Sequence, residues 1–84
     1  MTDPREKYVW FRKARDFAQK LADLLGYEVW VAMDRRGSWY AYRNEPLAYT
    51  ATWLCDADDE WSCPSLGSPS NWKNTLVHAV PGGE

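Results

Sequence analysis

The chain has 84 residues, ten Lys plus Arg, twelve Asp plus Glu and a formal net charge of -2. This length predicts one domain over residues 1–84. The sequence has no apolar run long enough for a transmembrane helix, and the polar start Met1–Glu6 does not resemble a secretory signal, so we expect no membrane contact and a cytoplasmic location. The acidic balance argues against a basic nucleic-acid-binding protein. With six Trp, five Tyr and no Ile, the core is expected to consist of aromatic rings and alanines.

The N-terminal third has the pattern of a long amphipathic helix. Asp3 is placed as its N-cap, Pro4 fits the first helical position, and Glu6 completes a capping box. No breaker follows until Gly26, a natural residue for the helix C-terminus. We therefore predict a helix over residues 4–25. Its apolar face is predicted to comprise Trp10, Phe11, Ala14, Phe17, Ala18, Leu21, Leu24 and Leu25.

Three strands are predicted next, over residues 27–33, 38–43 and 47–54, because these stretches are rich in aromatic and β-branched residues. Asp34-Arg35-Arg36-Gly37 is a hairpin turn signal, with Gly37 in the left-handed conformation, and this turn places Asp34 opposite Ser38. Strand alternation then defines two faces. The face expected to pack on the helix carries Val29, Val31, Met33, Trp39, Ala41, Tyr49, Ala51 and Trp53. The opposite face carries Glu28, Trp30, Ala32, Tyr40, Tyr42, Ala48, Thr50 and Thr52.

The remaining residues predict an acidic loop over 55–67 and a short helix over about 69–80. Ser68-Pro69 is a helix-start signal, and Trp72, Leu76 and Val80 recur every four residues. A strand over residues 75–80 is the alternative. The fold class expected is therefore α+β, a two-layer α-β-β-β-α domain with a three-stranded antiparallel sheet packed on the long N-terminal helix.

The sequence shows no catalytic motif, so we expect a protein that is not an enzyme and needs no cofactor or metal. It lacks the phosphate-binding, dinucleotide-binding, serine-hydrolase and zinc-protease signatures. Cys55, Cys63 and His78 are too few for a closed four-ligand zinc site without carboxylates. The sequence does not decide whether Cys55 and Cys63 form a disulfide, although reduced thiols are favoured without a secretory signal. A small enzyme or metal protein built on these three residues is the third and weakest hypothesis.

A dense acidic group, Asp56, Asp58, Asp59 and Glu60, is followed at once by Trp61. This group lacks the glycine and the final glutamate of an EF-hand calcium loop. One interpretation is a solvated acidic loop with Trp61 packed under the sheet. The other is a partner-binding site, in which carboxylates select a basic partner surface and Trp61 anchors the contact.

A second candidate partner-binding surface consists of Trp30, Tyr40 and Tyr42, on the sheet face predicted to point away from the helix. Cross-strand ring pairs stabilise a sheet without any partner, and this is one interpretation. If the three rings are exposed, they form an apolar patch of the kind that marks a contact site. Such a patch would also suit a homodimer.

The predicted α-β-β-β-α order resembles the double-stranded-RNA-binding domain over most of residues 4–80. The resemblance implies RNA contacts from the loop between the first two strands and from the start of the last helix. Arg35, Arg36 and Lys73 occupy those positions here. Nucleic-acid binding is therefore the alternative hypothesis, and it depends on neutralising phosphates.

The function we expect is that of a small non-catalytic protein-binding module. Size and acidity resemble those of phage or bacterial accessory proteins that inhibit a larger protein or nucleoprotein by covering its surface. Anti-CRISPR proteins, which inhibit host defence, are the specific class proposed. In this hypothesis the acidic group with Trp61 contacts a basic, nucleic-acid-binding groove, and the rings at positions 30, 40 and 42 add apolar area.

Overall fold

One long helix lies across a four-stranded antiparallel sheet in the computed structural model of the chain, which describes residues 3–50, 52–54 and 60–82. A separate two-stranded hairpin and a short 3-10 helix lie at the other face of the sheet. The predicted α+β class is confirmed, whereas the predicted three-stranded sheet is wrong. No helix within the described ranges is long and apolar enough to cross a membrane.

The N-terminal helical region is in two parts, a 3-10 helix over Pro4–Lys7 and the α-helix α1 over Val9–Leu25. Asp3 caps the first part, since its carboxylate accepts a hydrogen bond of 2.9 Å from the Arg5 amide. The chain is extended at Tyr8, so the predicted single helix over 4–25 is broken there. The predicted end is confirmed, because Gly26 has φ 81° and its amide donates to the Ala22 carbonyl at 2.8 Å.

The apolar face of α1 packs on the sheet as its periodicity predicts. Its buried residues are Phe11, Ala14, Ala18 and Ala22, and the larger side chains around them are half-buried. The small alanines let the helix approach the sheet closely. Leu24 is an exception to the predicted face, because it is 82% exposed.

The first two strands, β1 over Val29–Met33 and β2 over Trp39–Tyr42, form the predicted hairpin. Asp34 donates its amide to the Ser38 carbonyl at 2.9 Å, which confirms the predicted pairing of these two residues. Its buried carboxylate also accepts from the Arg36 and Ser38 amides. Gly37 has φ 90°, as the predicted left-handed turn position requires.

The predicted strand over 47–54 is wrong because the chain reverses within it. Two short strands, β3 over Leu47–Ala48 and β4 over Trp53–Leu54, pair antiparallel, with Leu47 opposite Leu54 and Ala48 opposite Trp53. The Tyr49 amide donates to the Thr52 carbonyl at 2.8 Å and closes the turn. This hairpin is a sheet of its own and does not extend the main sheet.

The C-terminal third supplies both outer strands of the main sheet. Strand β5, Glu60–Ser62, falls inside the predicted acidic loop and pairs with β2. The predicted helix over 69–80 is replaced by a 3-10 helix over Trp72–Asn74 and by strand β6, Val77–Ala79, which pairs with β1. The sheet order is β5-β2-β1-β6. The alternative of a strand in the last segment is therefore the correct one.

The main core lies between α1 and the face of the sheet on which α1 packs. Val29, Val31, Met33, Trp39 and Ala41 are all buried there, which confirms this part of the predicted face. The prediction is wrong for two residues of the hairpin: Tyr49 is 60% exposed and Trp53 packs on the opposite face, while Ala51 lies outside the described residues.

Candidate protein-binding surface

The sheet face away from α1 carries the three predicted rings. Trp30 pairs with Tyr42, and Tyr40 lies two pairs further along, opposite Ala32, as the sequence predicted. Trp30 and Tyr40 are half-buried, but Tyr42 is only 1% exposed. The expectation of three exposed rings is therefore wrong for Tyr42.

Tyr42 is buried because the hairpin and the second 3-10 helix cover this face. Trp53 inserts from β4, and its indole nitrogen donates to the Met33 carbonyl at 2.9 Å. The Trp53 ring meets the Trp72 ring edge to face, with 5.9 Å between centroids. Leu76 packs on the same cluster. This face thus has a small core of its own, in which the ring of Tyr42 serves packing.

Trp61 lies on the other side of the sheet from these rings. It stands on β5 opposite Ala41, is half-buried against the main core, and stacks on Tyr27 with 6.5 Å between ring centroids. The guanidinium of Arg43 lies 4.4 Å from the centroid of the same Tyr27 ring. Trp61 is therefore half-buried on the sheet face that packs on α1.

Of the four acidic residues in the predicted partner-binding site, the structure describes only the last. Glu60 begins β5, with its backbone opposite Tyr42. Asp56, Asp58 and Asp59 lie outside the described residues.

Three exposed apolar side chains on the hairpin form a surface that the sequence did not reveal. Leu47 is 72% exposed, Tyr49 60% and Leu54 50%. Leu47 and Leu54 are cross-strand partners, so their side chains lie on the same face of the hairpin, and alternation puts Tyr49 there too. We call these three residues the hairpin surface. They were missed because positions seven apart in one continuous strand would point to opposite faces.

The hairpin surface is held in place by the residues behind it. Pro46, just before β3, is fully buried, and Trp53 is 7% exposed. The hydrogen bond from Trp53 to Met33 ties the hairpin to β1. The exposed side chains are thus presented by an anchored element, which reduces the entropy lost when such groups bind a partner.

The basic residues of the nucleic-acid hypothesis lie at one end of the sheet. Arg35 and Arg36 are exposed in the β1–β2 turn, and Lys73 is exposed on the second 3-10 helix. The two segments meet because the Thr75 hydroxyl accepts the Met33 amide at 2.8 Å. The α-β-β-β-α order that carried the resemblance to the double-stranded-RNA-binding domain is absent, however, since Lys73 precedes a strand.

His78 does not meet Cys63. The two residues belong to opposite edges of the sheet, since Cys63 follows β5 and His78 is on β6. Burial raises the pKa of the Cys63 thiol to about 12, which keeps it protonated and poorly nucleophilic. His78 instead stacks on Trp30, with 4.4 Å between centroids, and its Nε2 lies 2.8 Å from a Glu28 carboxylate oxygen. Cys55 lies outside the described residues, within which no group of three metal-ligating side chains occurs.

No protein-family model, no curated protein and no solved structure matches the chain. Any functional conclusion therefore depends on the surfaces described above.

Proposed function

We propose that this chain is a non-catalytic protein-binding module that docks through the hairpin surface. The observation that carries the proposal is the exposure of Leu47, Tyr49 and Leu54 on one face of an anchored hairpin. Contiguous exposed apolar side chains on a small soluble domain usually mark a contact site. A large ring such as that of Tyr49 supplies the type of side chain enriched at binding hot spots.

The acidic group indicates the kind of partner. Asp56, Asp58, Asp59 and Glu60 come two to six residues after Leu54 in the sequence, so a run of negative charge follows the hairpin along the chain. Such an arrangement is complementary to an apolar pocket edged by Lys and Arg, as in a nucleic-acid-binding groove. Carboxylates at the border speed association and discriminate against acidic surfaces. The chain would then inhibit a larger protein or nucleoprotein by covering that groove, as proposed for an anti-CRISPR-like accessory protein of a phage or bacterium.

The test compares the hairpin surface with an equally apolar control. Immobilised wild type, the double variant Leu47→Lys/Leu54→Lys and the variant Leu24→Lys are used to capture proteins from a bacterial lysate. Leu24 is a matched control because it is 82% exposed and lies on α1, on the other side of the sheet. We expect a protein retained by wild type and by Leu24→Lys, but weakened about tenfold or more by the double variant, since each lost anchor costs more than about 1 kcal/mol.

A further measurement tests whether the partner's surface is a basic, nucleic-acid-binding groove. Duplex RNA or DNA added to the captured partner should release it if the partner uses a basic nucleic-acid-binding groove. Retention of the same proteins by the double variant, with circular dichroism showing that it is folded, would contradict the proposal. Retention that nucleic acid does not disturb would contradict the proposed partner class.

Nucleic-acid binding is kept as the second candidate because Arg35, Arg36 and Lys73 are exposed at one end of the sheet. It predicts that labelled duplex DNA binds at low salt, with a slope of log K against log salt of about -0.9 for each phosphate neutralised. The double variant Arg35→Gln/Arg36→Gln should make that slope shallower, because fewer phosphates are neutralised. If the wild type does not bind duplex or single-stranded probes at low salt, this candidate is wrong.

A further inference from the structure

Strand β6 forms one edge of the main sheet, and the hydrogen bonds of β1 show which of its backbone groups face outward. The Asp34 amide is directed to β2, since it donates to Ser38. The Met33 amide is directed to the β6 side, since it donates to the Thr75 hydroxyl. Backbone direction alternates along a strand, so Val31 and Val29 also face β6.

The register then fixes the direction of His78. Val77 and Ala79 are the partners of Val31 and Val29, so their backbone groups point inward to β1. His78 lies between them, and its amide and carbonyl therefore point away from the sheet. These two groups can form both hydrogen bonds of one antiparallel residue pair.

The next outward carbonyls along β6, two residues before and two residues after His78, already accept hydrogen bonds. Arg5 donates to the Leu76 carbonyl at 2.9 Å, and Gln19 donates to the Val80 carbonyl at 2.6 Å. These two side chains close the edge at both ends. The stretch from Leu76 to Val80 is about 13 Å long, at about 3.3 Å for each of the four steps between successive residues.

A cavity of about 520 Å³ adjoins this stretch, between α1 and β6. It is lined by Glu6, Arg15, Asp16, Gln19, His78, Ala79 and Val80. Glu6 forms an ion pair with Arg15, whereas Asp16 is exposed. The cavity thus combines an available strand edge with an excess of negative charge.

We propose that this edge binds a short extended peptide segment, which adds to β6 at His78 and directs a basic side chain to Asp16. Main-chain hydrogen bonds at a sheet edge supply affinity in this mode of recognition, and neighbouring side chains supply specificity. The charge excess favours a basic peptide over a second copy of the chain. In a symmetric dimer the same patch meets itself, so the carboxylates of Glu6 and Asp16 would lie near those of the partner copy.

The probe is a peptide of alternating valine and lysine, about six residues long, titrated into ¹⁵N-labelled full-length protein and followed by NMR. A peptide of alternating valine and glutamate is the matched control. We expect chemical-shift changes centred on the His78 amide and slower hydrogen exchange of that amide. We also expect about tenfold or greater preference for the lysine peptide, because like charges across an interface are disfavoured.

The variant His78→Pro removes the outward amide and leaves the hydrogen bonds of Val77 and Ala79 to β1 in place. Proline is tolerated at an edge strand where the missing donor faces solvent. This variant should lose peptide binding, whereas His78→Ala keeps the backbone donor and should retain it. Asp16→Asn changes an exposed side chain and should reduce the preference for the lysine peptide.

Three results would overturn the proposal. The first is no shift change at millimolar lysine peptide. The second is unchanged binding by folded His78→Pro, or, if that variant does not fold, an unchanged peptide preference in Asp16→Asn. The third is a concentration-dependent dimer that shifts the β6 signals without peptide, which would assign the edge to a second copy.

Discussion

Replacing Thr75 with valine tests the contact that joins the last segment to β1. Thr75 has no exposed surface, and its hydroxyl oxygen accepts the Met33 amide at 2.8 Å. As a donor, the Thr75 hydroxyl oxygen lies 2.7 Å from the Trp72 carbonyl oxygen and 3.3 Å from the Met33 carbonyl oxygen. The shorter contact therefore takes the proton, because the Met33 carbonyl already accepts from Trp53 at 2.9 Å.

Valine has nearly the shape of threonine but cannot accept a hydrogen bond. In Thr75→Val the buried Met33 amide loses its partner, which costs about 1–3 kcal/mol. The Trp72 carbonyl keeps the Thr75 amide as a donor, so it adds little to this cost. For a domain of this size a loss of about 2 kcal/mol lowers the melting temperature by about 8–16 °C.

The matched control is Thr75→Ser, which keeps the hydroxyl and removes one methyl group, at a cost of about 1 kcal/mol. Chemical denaturation gives the unfolding free energies, and hydrogen exchange of the Met33 amide gives a local readout. We expect faster exchange of this amide in the valine variant only. If Thr75→Val is at least as stable as Thr75→Ser and the Met33 amide exchanges at the same rate in both variants, the contact between Thr75 and Met33 does not stabilise the fold and the reasoning is refuted.

Two further predictions concern contacts made by the first ten residues. Gly67 has φ 136°, and a Cβ there would lie 2.5 Å from the Cβ of Trp10, so Gly67→Ala should destabilise the protein by about 2 kcal/mol or more. Gly82→Ala, at φ 64° with open space, is the control in the same denaturation assay and should cost about 1 kcal/mol; equal losses would contradict the close contact. The Arg5 side chain and amide lower the pKa of Asp3 from 3.8 to about 2, so this carboxylate stabilises the fold above pH 3.8 and loses its effect as the pH falls through about 2. Unfolding free energy measured across this range should depend less on pH in Asp3→Asn than in wild type, and identical pH profiles would contradict the assignment.

The parts of the fold that the sequence predicted correctly have local signals. Helix α1 follows from an apolar period close to 3.6 and from Gly26 at its end. The β1–β2 register follows from the turn Asp34–Gly37, which fixes one residue pair and through it all the others. This register also predicted correctly that Trp30, Tyr40 and Tyr42 share a face.

The last segment was misassigned because its spacing fits two structures. Trp72, Leu76 and Val80 recur every four residues, which suits a helix and is also an even number of steps along a strand. The strand is decided by a long-range contact, since the free edge of β1 needs a partner for its buried amides. No local pattern around residues 75–80 contains that information.

The candidate binding surface was missed for a related reason. The turn between β3 and β4 contains no glycine, proline or asparagine, so residues 47–54 have the composition of one strand. Reversal of the chain brings Leu47 and Leu54 to one exposed face and sends Trp53 to cover Tyr42. Exposure of the leucines and burial of the tyrosine are thus two results of one unpredicted turn.

The most direct test of the proposed function is site-specific photo-crosslinking from the hairpin surface. A photoreactive amino acid is placed at Leu54 in one variant and at Leu24 in the other, and each is irradiated with the partner that wild type captures. We predict crosslinks from position 54 to an apolar pocket bordered by Lys and Arg, none from position 24, and loss of the crosslinks when duplex nucleic acid is added. Crosslinks from position 24 but not from position 54, with the partner still bound, would contradict docking through the hairpin.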